Sequence, residues 1–157
     1  MRLKHIWIFT LILLGCEKID LKWKLDKFPT LVSLDATKIT SVNAESGGNI
    51  SSDGGAPITQ RGVCWSVDEN PTTTNNKTSD GSGTGNYVSI LDNLQPDTKY
   101  YVRAYATNKV GTSYGNQVSF TTLELASLTT LDATKITSAD AESGGNISSD
   151  GGAPITQ

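Results

Sequence analysis

The stretch Leu94–Asn108, LQPDTKYYVRAYATN, decides the fold of this 157-residue chain. From Tyr100 to Ala106 every second residue is apolar or aromatic, and a period of two is typical of a β-strand with one buried face. Tyr100 comes directly after a Pro-Asp-Thr-Lys corner, so its ring can enter the core while its hydroxyl bonds to nearby backbone. We therefore predict an inward-facing row along this strand and a body built of strands.

The same stretch resembles the signature of fibronectin type III domains, Leu-x-Pro-x-Thr-x-Tyr-x-Val-x-Ala-x-Ala followed by Asn-x-x-Gly. The resemblance covers about residues 30–122 and implies an all-β fold, a seven-stranded fibronectin type III-like (immunoglobulin-like) β-sandwich. A short edge strand is expected within the polar loop 68–86. The other strands are expected at Thr30–Leu34, Thr40–Ile50, Ile58–Ser66, Tyr87–Leu91, Lys99–Thr107 and Tyr114–Thr122.

The structural core is expected to include Leu94, Tyr100 and Val102 from this stretch. Type III domains usually carry a tryptophan on the second strand, where this chain has AESGGNI at 44–50. Our hypothesis is that Trp65, on the third strand, turns inward over these glycines and fills the missing volume, with Val63 on the same face.

The segment 31–60 recurs at 128–157, shifted by 97 residues. The two copies differ at four positions, Val32/Thr129, Ser33/Thr130, Val42/Ala139 and Asn43/Asp140, so 26 of 30 residues match. A period this long fits whole domains rather than short solenoid repeats. We expect a first domain at 29–123 and a partial second repeat at 124–157 that holds only the first strands, which predicts a piece of a longer array or a truncated gene.

The first sixteen residues predict export and lipid attachment. Arg2 and Lys4 precede an apolar core at 6–14, which as a helix would span roughly 14 Å, about half of the ~30 Å hydrocarbon layer. It therefore resembles a secretory signal peptide rather than a membrane span. The ending Leu-Leu-Gly-Cys at 13–16 resembles the lipobox of bacterial lipoproteins, which implies cleavage after residue 15 and a lipid on Cys16.

Residues 16–28 then form the lipidated cysteine and a tether. Extended, this segment reaches roughly 40–45 Å. The expected location is the bacterial cell envelope, on the outer membrane or the cell surface, with the lipid as the contact with the membrane. Without Arg2 and Lys4, Lys and Arg fall from 13 to 11 against 16 Asp and Glu, a net charge of about −5. A weakly acidic surface argues against nucleic-acid partners.

The residues needed for catalysis are scarce. The one histidine, His5, lies in the segment expected to be removed, which excludes His-based catalytic triads and metal sites from the mature chain. Cys64 is interpreted as a small apolar residue in a strand, with a functional thiol as the alternative. A calcium loop at Asp80-x-Ser-x-Thr-Gly lacks the glutamate required at position 12, where Leu91 stands. No catalytic residue, metal or cofactor is expected.

One stripe could bind a partner. If Tyr100 points inward, then Tyr101, Arg103 and Tyr105 point outward along one strand and could stack on a sugar or contact an extracellular protein. The same residues could instead stabilise an open sheet face through cross-strand pairs. The sequence favours a non-enzymatic, lipid-anchored envelope protein that presents sandwich modules for adhesion, spacing or protein interaction. The alternatives are a glycan-binding accessory lipoprotein and the stalk of an enzyme whose catalytic domain lies beyond Gln157.

Overall fold

The computed structural model describes residues 25–152. The predicted signal peptide, the lipidation site Cys16 and most of the tether lie outside the described residues, as do residues 153–157. The first unit contains eight strands: β1 (Thr30–Thr37), β2 (Ala44–Ser52), β3 (Gln60–Ser66), β4 (Asn76–Lys77), β5 (Gly85–Leu91), β6 (Lys99–Thr107), β7 (Thr112–Tyr114) and β8 (Val118–Thr121). Two more strands follow, β9 (Ser127–Thr134) and β10 (Glu142–Ser149).

The first unit is a two-layer β-sandwich, so the predicted fold class is confirmed. One sheet has the strand order β1-β2-β5, and the other has the order β4-β3-β6-β7 with β8 also paired to β6. No helix occurs between residues 25 and 152, and this part of the chain therefore has no helical segment of membrane-spanning length and hydropathy.

The core lies between the two sheets and is organised by β6. Its inward residues Tyr100, Val102, Ala104 and Ala106 alternate with residues on the outer face, as the period of two predicts. Buried residues from every other strand of the first unit except β4 and β7 pack against this row. The two alanines leave room for larger neighbours, since the ring of Tyr87 approaches the β6 backbone at this level.

The predicted last strand, Tyr114–Thr122, is divided into β7 and β8, and Ser33 of β1 fills the break. The Ser33 hydroxyl accepts a hydrogen bond from the Ala104 amide (2.9 Å) and donates one to the Asn116 carbonyl (2.5 Å). A Cβ atom on Gly115 would lie 2.5 Å from the Ser33 hydroxyl oxygen, so the close approach of β1 requires glycine here. The break therefore ties the outer strand of one sheet to the other sheet.

The chain enters the sandwich at one end, here called the near pole, and leaves it at the opposite end, the far pole. At the near pole, the Lys27 amide donates to the Gly54 carbonyl (2.8 Å), and the Asn108 side chain donates to the Lys27 carbonyl (2.7 Å). At the far pole, the Leu123 amide donates to the Thr40 carbonyl (3.1 Å). The nine-residue strand β6 runs between the poles, which separates them by about 27 Å at ~3.3 Å per residue.

The second copy of the repeat forms the antiparallel hairpin β9–β10. Thr134 pairs with Glu142 and Leu131 with Gly144, which is the register of Thr37 with Glu45 and Leu34 with Gly47 shifted by 97 residues. The environments of the two hairpins differ, because Leu128 and Ile147 are exposed in the second hairpin, while their equivalents Leu31 and Ile50 are buried in the first.

Candidate functional site

The predicted outward stripe is not a free surface, because Tyr105 is buried. Its side chain is 1% exposed, and its hydroxyl donates to the Thr78 carbonyl (2.6 Å). Residues after β4 continue beside β3 and cover this part of the outer face, with the Thr78 amide bonded to the Val63 carbonyl. Gly62 faces Tyr105 across the strands, and a Cβ there would lie 2.9 Å from the Tyr105 ring. The prediction that Tyr105 faces solvent is therefore wrong.

The other two residues of the stripe are half-buried and have partners within the protein. The Lys99 ammonium lies 4.9 Å from the centre of the Tyr101 ring. The Arg103 guanidinium lies 4.9 Å from the centre of the Tyr114 ring and donates through Nε to the Gly115 carbonyl (3.1 Å). Each of these two residues therefore takes part in a cation–π contact within the protein.

Cys64 is buried on the same covered face. Its Sγ donates towards the carbonyls of Pro71 and Arg103, each at 3.4 Å. Burial raises the pKa of the Cys64 thiol to about 11, against a smaller lowering by the Arg103 charge. The thiol keeps its proton near neutral pH, so it is a poor nucleophile. Burial likewise raises the pKa of Tyr105, and the Asp80 carboxylate adds to the shift.

The four residues expected in the core all lie in it, namely Tyr100, Trp65, Val102 and Leu94. The Tyr100 hydroxyl accepts a hydrogen bond from the Gln95 amide (3.0 Å), which is the bond of a tyrosine corner. The Tyr100 ring stacks on Phe120 with the ring centres 5.9 Å apart.

Trp65 points inward, but the volume over the glycines of β2 is filled by other residues. A Cβ on Gly48 would lie 2.7 Å from both the Ala104 methyl and the Tyr87 hydroxyl. The Tyr87 hydroxyl donates to the Gly62 carbonyl (2.7 Å) on the opposite sheet. Tyr87 takes this role because it pairs directly with Gly48 in the register of β2 and β5, whereas Trp65 lies near the end of β3.

The loop at 80–85 is organised by an arginine. The Arg61 guanidinium donates to the carbonyls of Asp80, Gly83 and Thr84 at 3.1–3.3 Å. The Asp80 carboxylate accepts from the hydroxyls of Thr78 and Ser89. The Asp80 carboxylate, the first ligand that a calcium loop would present, is thus occupied by protein donors. The described residues contain no group of three or more potential metal-ligating side chains.

A cavity of about 270 Å³ lies at the far pole, between β4 and the turn that follows β5. It is lined by Trp65, Asn76, Lys77, Asp92, Asn93 and Tyr100. The sequence carried no signal for the four polar residues, because they come from two separate polar segments whose proximity depends on the pairing of β4 with β3. Of the residues that line the cavity, only Trp65 and Tyr100 were singled out by the sequence, and they were expected as core residues.

Comparison with known proteins gives similar folds. No family model matches the chain, and no curated protein matches it. Among solved structures, the sensor domain of the anti-sigma factor RsgI4 from Pseudobacteroides cellulosolvens is 17% identical, with a TM-score of 0.46 over 63% of this chain and 98% of that one. A fibronectin type III domain of human collagen XX is 20% identical, with a TM-score of 0.45 over 62% of this chain and 95% of that one.

A fibronectin type III domain from the human KIAA0970 protein is similar as well. It is 17% identical, with a TM-score of 0.43 over 60% of this chain and 73% of that one. These likenesses concern the fold alone.

Proposed function

We propose that this chain is a non-catalytic, lipid-anchored protein of the bacterial cell envelope that carries β-sandwich modules away from the membrane for adhesion, spacing or protein contact. The lipobox-like ending at residues 13–16 supports the anchor. In the proposal, Cys16 holds the lipid, residues 16–28 clear the membrane, and residues 124–157 begin a second module.

The separation of the two poles is the observation that carries the spacing role. Lys27 is held at the near pole and Leu123 at the far pole, so each module of this kind adds about 27 Å to the reach of the chain. A domain whose ends met at one pole would add a side branch instead. The Asn108 side chain also binds the Lys27 carbonyl and the Asp53 carbonyl, which fixes the tether against the sandwich.

The chemistry of the described residues supports a non-catalytic role. Residues 25–152 contain no histidine, and their one cysteine is buried with a raised pKa. The stalk of an enzyme would also need its chain ends at opposite poles, so the enzyme-stalk alternative shares the spacing role. The glycan-binding alternative loses one of the three residues of its proposed face, because Tyr105 is covered.

The anchor is tested by metabolic labelling with radioactive palmitate in a bacterial host, followed by membrane fractionation. We expect label and membrane association for the native chain and for Cys64→Ser, and neither for Cys16→Ser. The matched control is informative because the chain has two cysteines. Label on Cys16→Ser, or none on the native chain, would contradict the lipid anchor.

The spacing geometry is tested by a distance between spin labels on exposed residues at the two poles. Lys27→Cys and Glu124→Cys are combined with Cys16→Ser and Cys64→Ser, so that only the introduced thiols are labelled. We expect a distance of about 25–35 Å, from the length of β6 and the label arms. A distance below about 15 Å would place both ends at one pole and refute the spacing role.

A further inference from the structure

The cavity at the far pole has the composition of a binding site rather than of a packing defect. Trp65 and Tyr100 line it and are 7% and 6% exposed, so the surrounding core holds both rings in place. Ligand sites commonly join fixed aromatic surface with a few convergent polar groups. We propose that this cavity binds one neutral sugar ring of a glycan.

The rim supplies the polar groups that hydroxyls require. Asn76 and Lys77 lie on β4, and Asp92 and Asn93 directly follow β5. Within residues 25–152, the structure shows no side-chain hydrogen bond or ion pair for any of these four, whereas other charged pairs such as Lys38 and Glu45 are joined (2.8 Å). Their hydrogen-bonding capacity is therefore directed to solvent and to a ligand.

The backbone fixes the two sides of the rim. β4 is placed by its pairing with β3, where Asn76 lies opposite Trp65 and Lys77 opposite Cys64. On the other side, Asn93 has a φ of 55°, a left-handed conformation that asparagine tolerates better than most residues. A rim that is in place before binding loses less conformational entropy when the ligand arrives.

The charges of the rim select a neutral ligand. The Lys77 ammonium and the Asp92 carboxylate cancel, so neither an anion nor a cation gains from the net field. The rim contains donors in Lys77 and the two amides and acceptors in Asp92 and the same amides. A sugar hydroxyl both donates and accepts, so a neutral polyhydroxylated ring uses both kinds of group, while the small exposed part of the Trp65 or Tyr100 ring can contact a C–H group of the sugar.

Size and position agree with this assignment. About 270 Å³ lies below the roughly 300–1,000 Å³ of sites for drug-sized molecules, which limits the ligand to about one ring. The cavity lies at the far pole, away from Lys27 and the tether. The site would give the module a ligand independently of the anchor.

The test titrates the full chain with the methyl pyranosides of glucose, galactose, mannose and N-acetylglucosamine, each to about 50 mM, which covers the millimolar affinities expected of a single ring. Trp7→Phe and Trp23→Phe leave Trp65 as the one fluorescent tryptophan of the three in the chain. We expect a saturable change in Trp65 emission with at least one pyranoside. Asp92→Ala and Asn76→Ala should each weaken binding about 10-fold, and Asp35→Ala, an exposed carboxylate on β1, should leave it unchanged.

Three results would overturn the proposal. The first is no saturable change with any of the four pyranosides. The second is binding that Asp92→Ala and Asn76→Ala leave unaltered. The third is saturation by acetate or methylammonium chloride without saturation by a pyranoside, because that would show a charged ligand. Since the substituted side chains are exposed, the thermal midpoints of the variants should stay within a few degrees of the native value, which excludes unfolding as the cause of lost binding.

Discussion

Replacement of Tyr100 by phenylalanine tests the residue on which the packing of the sandwich depends. The substitution keeps the ring, which is 6% exposed and stacked on Phe120. It removes only the hydroxyl oxygen that accepts the Gln95 amide at 3.0 Å. The loss is therefore confined to one hydrogen bond and to the small void that the oxygen leaves.

The magnitude follows from the surroundings of that bond. An amide left without a partner in a dry core costs about 1–3 kcal/mol. Gln95 is exposed, so water can reach part of its amide after the substitution, which places the expected loss at about 1–2 kcal/mol. For a domain of this size such a loss lowers the thermal midpoint by about 4–12 °C.

The assay is urea unfolding of the full chain, followed by Trp65 fluorescence in the Trp7→Phe and Trp23→Phe background. Tyr101→Phe is the matched control, since this half-buried neighbour should change stability by less than about 0.5 kcal/mol. Equal unfolding midpoints for Tyr100→Phe and the native chain would refute the argument that the corner hydrogen bond stabilises the sandwich. A larger effect from Tyr101→Phe would refute the assignment of faces.

Three further predictions concern the break in the last strand, the near pole and the thiol. Ser33→Ala should lower the free energy of unfolding by about 1–3 kcal/mol, because the buried Ala104 amide loses its acceptor. Urea unfolding checks this, with Ser119→Ala on β8 as an exposed control. Asn108→Asp should lower the free energy of unfolding by about 1–3 kcal/mol, because it removes the two side-chain amide donations to backbone carbonyls while keeping the side-chain acceptor. An unchanged urea midpoint would contradict the role given to Asn108. In a Cys16→Ser chain, Cys64 with a pKa of about 11 should be about 0.1% thiolate at pH 8. It should therefore react with an aromatic disulfide reagent far more slowly in the folded chain than in the chain unfolded by urea. Equal rates in the two conditions would count against its burial.

Local patterns in the sequence predicted the fold class. The period of two in β6 and the corner before Tyr100 predicted both the strand and the inward row, because alternation fixes which side chains share a face. The turn at Gly54, where φ is 74°, has the same local origin, because glycine adopts a positive φ at little cost. The predicted start of β2 was wrong. The strand begins at Ala44 rather than Thr40, because the Thr40 hydroxyl accepts a hydrogen bond from the Asn43 amide (2.8 Å) and holds residues 40–43 in a turn.

What the sequence could not determine is what covers each face. Alternation placed Tyr105 on the outer side of β6, and only the fold showed that the segment around Thr78 lies over it. The role of Tyr87 above Gly48 depends on register between strands that are distant in the sequence. Ser33 lies opposite a break in a strand more than eighty residues away.

The physical reason for this division is the range of the interactions. Strand period, turns and the residues of the lipobox-like ending are local, so one sequence specifies them directly, and they determined the all-β class, the corner and the expectation of an anchor. Burial of an outer face, the close approach at Gly115 and the gathering of Asn76 and Asp92 around Trp65 depend on packing between distant segments. Those features were decided only when the two sheets and the long loop came together.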